Sequence, residues 1–240
     1  MRRVTKAFWH ARWAELILCL PLMAFVSDAH AQAPPFSDPN QHACARPVDE
    51  HVGQPGCFYD GSTNLGVIAG PRWWHIDEFP NLELAKKAAT AQSYVRVIFG
   101  RALVQTVNDK PGWTAPGGRH VSTVGPLPID GRVARTARFM EATFTKGMTA
   151  FPHRHAGPEA WYVFEGAQCL ESPKGATIVR AGESSWIEEG PSMHLSHYGK
   201  GVRKSLVLII HRSAESSQTL TPEWKPKGLC ASEAAHGTDH

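Results

Sequence analysis

Residues 147–166 read Gly-Met-Thr-Ala-Phe-Pro-His-Arg-His-Ala-Gly-Pro-Glu-Ala-Trp-Tyr-Val-Phe-Glu-Gly. His153 and His155 are separated by one residue, so on a β-strand they project from the same face. Glu159 follows past Ala156-Gly157-Pro158, a small-residue and proline step that spells a bend. A second strand over Ala160–Glu165 can return beside the first and bring the carboxylate to both imidazoles. An HxH pair alone would read as solvated strand surface. Joined by a carboxylate in this register, it suits a divalent first-row ion such as Mn, Fe, Ni or Zn.

The chain around this segment is patterned for strands. From Val133 onward the candidates are Ala134–Thr145, Ala150–His155, Ala160–Glu165, Ala167–Glu171, Ala176–Arg180, Ser184–Glu188, Met193–His197 and Val202–His211. Turn residues separate them at Gly147, Gly157-Pro158, Pro173-Lys174-Gly175, Gly182, Gly190-Pro191 and Gly199–Gly201. Many short strands at this spacing indicate an antiparallel barrel or jelly roll, whose interior can hold a site. Upstream, Phe58–Ala69 holds a short strand, Pro71–Pro80 is aromatic and extended, and Asn81 caps a short helix over Leu82–Thr90. Tyr94–Val107 reads as one or two strands and Asp109–Arg119 as a loop. The organisation expected is a signal segment over 1–31, an N-terminal arm and extension over 32–132 that packs on or completes the barrel, a core barrel over 133–212 and a tail over 213–240. The sequence leaves open whether the N-terminal half is a degenerate second barrel.

The first residues read as an export signal. Arg2, Arg3, Lys6 and Arg12 form a basic flank, Leu16–Val26 an apolar run, and Ala29-His30-Ala31 a cleavage site, which places the mature protein in the periplasm or outside the cell. The apolar run is too short to remain as a membrane span. Of the 25 basic and 22 acidic residues, four basic and two acidic fall in 1–31, which leaves the remainder nearly neutral. Such a balance offers no electrostatic footprint for nucleic acid or for an anionic membrane. Four cysteines remain beyond the signal, an even number in an exported chain, and of three possible pairings we expect Cys44–Cys57 and Cys169–Cys230.

Gly147, five residues, His153-x-His155, three residues, Glu159, six residues and Gly166 together resemble the first signature of the cupins at every position. The second signature is matched more loosely over Gly182–Tyr198. Glu188 stands where proline is usual, Gly190 is kept, Met193 occupies the usual histidine position and Tyr198 that of the asparagine. The resemblance covers roughly residues 135–212 of the chain. The resemblance implies an all-β, cupin-type jelly-roll barrel, with an N-terminal extension containing the short helix. It also implies a metal set of His153, His155 and Glu159 completed by a histidine. His194 is assigned that place through a one-residue insertion, because a thioether is a poor partner for Mn, Fe(II) or Ni. Cupins include dioxygenases, oxalate-degrading enzymes, isomerases and non-enzymatic binders, and they commonly pair into dimers. The expectation is therefore a metal-dependent, oxidoreductase-like enzyme on a small organic molecule, the alternative being a non-catalytic ligand- or metal-binding module.

Other residues receive structural readings. His197 falls on the opposite face from His194, Glu165 lies too far along its strand to reach the ion, and Phe151, Trp161 and Val163 share parity with the ligands and line the interior. His75 and Trp73-Trp74 read as packing. No catalytic acid/base pair is recognisable.

Overall fold

The computed structural model describes Cys44 and residues 46–231. The segment read as an export signal, the arm up to residue 43 and the tail histidines His236 and His240 lie outside the described residues. In chain order the elements are β1 (Gly56–Ile68), β2 (Arg72–Phe79), α1 (Leu82–Ala88), β3 (Ser93–Ile98), β4 (Arg101–Asn108), β5 (Arg119–Leu127) and β6 (Val133–Phe144). They continue as β7 (His153–His155), β8 (Glu159–Glu165), β9 (Ala167–Ser172), β10 (Gly175–Arg180), β11 (Ser184–Ile187), β12 (His194–Tyr198), β13 (Arg203–Arg212) and β14 (Gln218–Leu220).

Pairing is antiparallel throughout these strands. One sheet runs β1-β6-β13-β8-β11, a second β10-β9-β12, and a third β3-β4-β2-β5, while β14 pairs with β7. Bridges at Thr149–Ser196 and His153–Met193 attach β7 and the segment before it to β12. From β8 to β13 the chain therefore passes repeatedly between two facing sheets. That is a jelly roll, the all-β class expected from the strand pattern.

The five-stranded sheet is buried on both faces, which explains why β13 reads as an unbroken apolar run rather than an alternation. Leu206, Leu208 and Ile210 of β13, with Ala160 and Tyr162 of β8 and Phe139 of β6, pack against Trp74, Ile76, Leu103, Val107, Val124 and Leu127 of the N-terminal sheet. The opposite face carries Val207, Ile209, Met140, Ala142 and Phe144. Trp161 and Val163 meet Leu170, Val179, Met193 and Leu195 of the facing sheet. The outer face of the N-terminal sheet is covered by α1 and the loop after β4, through Phe79, Ala85, Ala102, Val104 and Ala115. Asn81 caps α1 as expected, accepting from Leu84 N–H.

Several elements differ from the sequence expectation. β1 is 13 residues long rather than short, and it joins the core sheet along β6, the completing role that the expectation allowed for the extension. β5 lies in a stretch assigned no strand, where Gly125, Pro126 and Pro128 mask its alternation. The N-terminal half contributes one four-stranded sheet among the described residues, with no facing sheet of its own. Phe151 is 43% exposed rather than interior; β7 begins only at His153, so strand parity does not extend back across Pro152. Both expected disulfides, Cys44–Cys57 and Cys169–Cys230, are present.

The second disulfide closes a loop of sequence separation 61. The double change Cys169→Ser/Cys230→Ser is expected to cost about 4 kcal/mol of unfolding free energy by chain entropy, read from urea midpoints. A second stability lever lies at the bulge between Tyr59 and Gly61. Burial first, and then the Glu141 carboxylate, push the Asp60 carboxyl up to about 8 against the opposing pull of Arg96. A carboxyl raised on folding contributes stability that is full below its unfolded value of 3.8 and is lost as pH rises through about 8. Asp60→Asn should therefore flatten the fall in stability between pH 4 and 9, an effect on the order of a few kcal/mol. Melting curves across that range provide the check.

Candidate metal centre

The local sequence builds the centre around a bend. His153 exchanges two backbone hydrogen bonds with Met193, His153 N–H to Met193 O at 3.0 Å and Met193 N–H to His153 O at 2.7 Å. Beyond the histidines the chain turns, and two bonds from β13 fix the turn: Arg212 N–H to Ala156 O at 3.1 Å and Ile210 N–H to Pro158 O at 3.0 Å. The buried Arg135 guanidinium also donates to Ala156 O at 3.2 Å. Gly157 lies so close to β13 that a Cβ on it would stand 1.7 Å from Ile210 O, so only glycine allows this approach. At the other end of β8, Gly166 has φ +68° and its missing Cβ would meet Val202 O at 2.5 Å. The outer glycines of the pattern are thus not equivalent to decoration: Gly166 lets β8 turn tightly against the start of β13.

The outcome is that His153, His155 and Glu159, all buried, place one ligand atom each within 4.8 Å of one another. His153 Nδ1 is 2.6 Å from Phe151 O, and His155 Nδ1 is 2.6 Å from Ser217 O. A carbonyl can only accept, so both rings carry a proton on Nδ1, which leaves Nε2 as the nitrogen that can ligate. Burial, followed by the neighbouring His155, pushes His153 down to about 4, with Glu159 opposing, which keeps this imidazole neutral near pH 7. His155 Nε2 stands 3.2 Å from Glu159 Oε2. Neither atom has a hydrogen-bond partner. With His155 as the neutral tautomer, the two atoms turn lone pairs toward each other, an arrangement that a cation between them would satisfy. The donor set of two imidazoles and a carboxylate fits Mn, Fe, Ni or Zn.

The structure does not bring His194 to this group. Met193 and Leu195 face the interior cluster. With strand period two, His194 then faces out. It pairs in register with Glu171, whose carboxylate accepts from Lys227 N–H and Leu229 N–H of the tail. Met193, not His194, is bridged to His153 and fills the interior position. His197 is likewise apart, its Nε2 lying 2.8 Å from Gly201 O. Glu165 ends β8 and pairs with Lys204 at 3.0 Å. His75 sits in the N-terminal sheet, its ring nitrogens at 3.0 Å from Thr123 Oγ1 and 3.2 Å from Asn108 Oδ1.

The triad opens into a cavity of about 30 Å³, room for an ion with a water-sized ligand or two. Its walls include Met140, Phe144, Val207, the Cys44–Cys57 disulfide, Gln218 and Arg203. Sequence reasoning missed the last two. Gln218 opens β14, which pairs with β7, and a three-residue strand in a polar tail carries no periodic signal. Arg203 shares strand parity with Val207 and Ile209, and a cation at an interior position of an apolar strand was the readable clue. Burial lowers the Arg203 guanidinium to about 9, with Glu159 opposing, so it is cationic at neutral pH.

No family model matches this chain, and no curated protein matches it. Among solved structures its neighbours are cupin and double-stranded β-helix proteins. One is an oxalate oxidase, 21% identical over 36% of this chain and 46% of that one, TM-score 0.32. A cupin-like protein from Thermotoga maritima MSB8 is 12% identical over 38% of this chain and 77% of that one, TM-score 0.33. The DMSP lyase DddQ from Ruegeria pomeroyi DSS-3 is 18% identical over 42% of this chain and 49% of that one, TM-score 0.33. The chain spans about half the length of the oxalate oxidase it matches. The jelly-roll assignment rests on the strand order described above.

Gly157→Ala tests how the bend governs the site. The new methyl cannot coexist with Ile210 O, so the bend must shift and carry Glu159 away from the histidines. The expected outcome is a loss of roughly 3 kcal/mol of stability, together with weakened binding of added Co(II), read by denaturant titration and calorimetry.

Proposed function

We propose that the chain is an exported, metal-dependent cupin enzyme, oxidoreductase-like, that holds a divalent transition ion at His153, His155 and Glu159 and acts on a small organic molecule. The observation that carries the reading is the convergence of His155 Nε2 and Glu159 Oε2, both buried and without partners, beside His153. Export is supported by the basic and apolar N-terminal pattern and by two disulfides, which persist in oxidising compartments.

The residues divide the work. Phe151 O and Ser217 O hold the two imidazoles in one tautomer and orientation. Glu159 supplies the negative charge. The apolar walls from β6 and β13 exclude bulk water, which strengthens electrostatic interactions inside. When bound, the ion would supply Lewis acidity and an open position for a small ligand.

Elemental analysis of protein matured in an oxidising compartment tests this reading. About one Mn, Fe, Ni or Zn per chain is expected in the wild type, none in His153→Ala/His155→Ala, and wild-type content in His194→Ala. Chelation should lower the melting temperature of the wild type and leave the double variant unchanged. A wild type that folds and takes up no first-row ion refutes the proposal.

A further inference from the structure

A bulge in the N-terminal sheet assembles a second group of reactive side chains, outside the metal centre. β5 pairs with β2 through Thr123 opposite His75 and Ser122 opposite Ile76, then skips Val121 to set His120 opposite Asp77. Three residues apart, His120 and Thr123 would fall on opposite faces of a regular strand. The extra residue puts them on one face with His75 and Asp77, the re-aiming for which bulges serve beside active sites. The loop after β4 covers this outer face in part: Ala115 N–H donates to Asp77 Oδ2 at 3.1 Å, and the Trp113 ring centroid lies 5.5 Å from that of His75.

The contacts within the group run in one line. His120 Nδ1 is 2.9 Å from Asp77 Oδ1, and His120 Nε2 is 3.0 Å from Thr123 Oγ1. Thr123 Oγ1 is also 3.0 Å from His75 Nδ1, and His75 Nε2 is 3.2 Å from Asn108 Oδ1. Both ends of the line accept, because Asp77 is a buried carboxylate and Asn108 Oδ1 already takes Lys110 N–H at 2.8 Å. Each ring therefore carries a proton on its outer nitrogen, Nδ1 of His120 and Nε2 of His75. Burial lowers His75 against the opposing pull of Asn108 and Asp77, which keeps that ring neutral near pH 7 and its Nδ1 an acceptor. With His120 neutral as well, the single hydroxyl proton of Thr123 faces two accepting nitrogens, and one of them is left free to take a proton.

We propose that Thr123, His120 and Asp77 form a second, metal-independent catalytic site, which transfers the acyl group of a small carboxylic ester to Thr123 Oγ1 and then to water. Thr123 Oγ1 attacks the carbonyl carbon as its proton passes to His120 Nε2; the bond to the alcohol breaks, and the leaving oxygen takes that proton. Water then attacks the acyl-threonine and gives a proton to His120, which returns it to Thr123 as the acid departs. Asp77 is the positioning residue. It holds His120 in the tautomer that accepts from Thr123 and faces the imidazolium formed on attack. The contact between Thr123 and His120 lies at the surface, where the His120 side chain is 37% exposed, so an ester reaches the hydroxyl directly. Such an open site suits a reactive ester rather than a peptide bond.

The test uses the full chain with its disulfides formed, kept in chelator so that a bound ion cannot hydrolyse the ester. p-Nitrophenyl acetate is added, release of p-nitrophenol is followed, and acid-quenched samples are mapped by mass spectrometry. Wild type should release p-nitrophenol and carry acetyl on Thr123 at early times. Thr123→Val, which keeps the shape and loses the hydroxyl, should lose both. His120→Ala should slow acetylation of Thr123 by on the order of a hundredfold. Asp77→Asn should slow it too, and should move the ring-nitrogen resonances of His120 toward the Nε2–H tautomer, which cannot accept from Thr123. Release by Thr123→Val at the wild-type rate, or acetylation of Thr123 as fast in His120→Ala as in wild type, overturns the proposal. So does a folded wild type with no acetyl on Thr123 and no more release than Thr123→Val. Should Thr123→Val not fold, the acetyl map of wild type beside His120→Ala decides alone.

Discussion

The seam between the Ala156–Pro158 bend and the end of β13 is the contact on which the rest of the structure depends. β7 and β8 supply all three converging side chains, and neither strand by itself fixes the distance between them. Arg212 and Ile210 do so by donating to Ala156 O and Pro158 O. Gly157 permits the approach, because any side chain there would occupy the space of Ile210 O. The backbone cost of a glycine at this point is small beside what it allows, a carboxylate returned to two imidazoles across a three-residue turn.

That seam can be rigid because β13 is itself held on every side. It lies between β6 and β8 in the five-stranded sheet and is covered on one face by the N-terminal sheet. On its other face it contributes Val207 and Ile209 to the cavity wall and Arg203 to the cavity's far end. One strand therefore connects the packing of the N-terminal half to the position of the metal ligands. The tail continues the same logic. β14 pairs with β7 and offers Ser217 O to His155, and the Cys169–Cys230 bridge ties the segment after it to the outer face of β9.

The electrostatics of the interior are arranged in two halves. Acceptors without donors stand together at His155 and Glu159, while Arg203 Nε, Gln168 Nε2 and Ser205 Oγ are buried donors without acceptors. Each half is poorly satisfied alone, since buried polar groups without partners are disfavoured. A cation between His155 and Glu159 would satisfy the first. The apolar walls raise the stakes by keeping water from doing so cheaply.

The sequence by itself was sufficient for the strand class, the bend and the three ligand candidates, because these are local: period-two alternation, turn residues and the spacing of His153, His155 and Glu159 lie within one short stretch. Two disulfides were also legible from an even count of four cysteines, while the structure selects one of the three possible pairings, the expected one. The placement of His194 apart from the triad was not legible, because a one-residue shift reverses every side chain of a strand and only the bridge between His153 and Met193 reveals which residue faces in. Arg203, Gln168 and Ser217 were hidden for a related reason. They lie 44, 9 and 58 residues from Glu159 in the sequence, and no local pattern states which distant strands will share an interior. Tertiary structure decided that, through sheet order and register, because a long-range pairing is set by the fit of whole apolar faces rather than by any one residue.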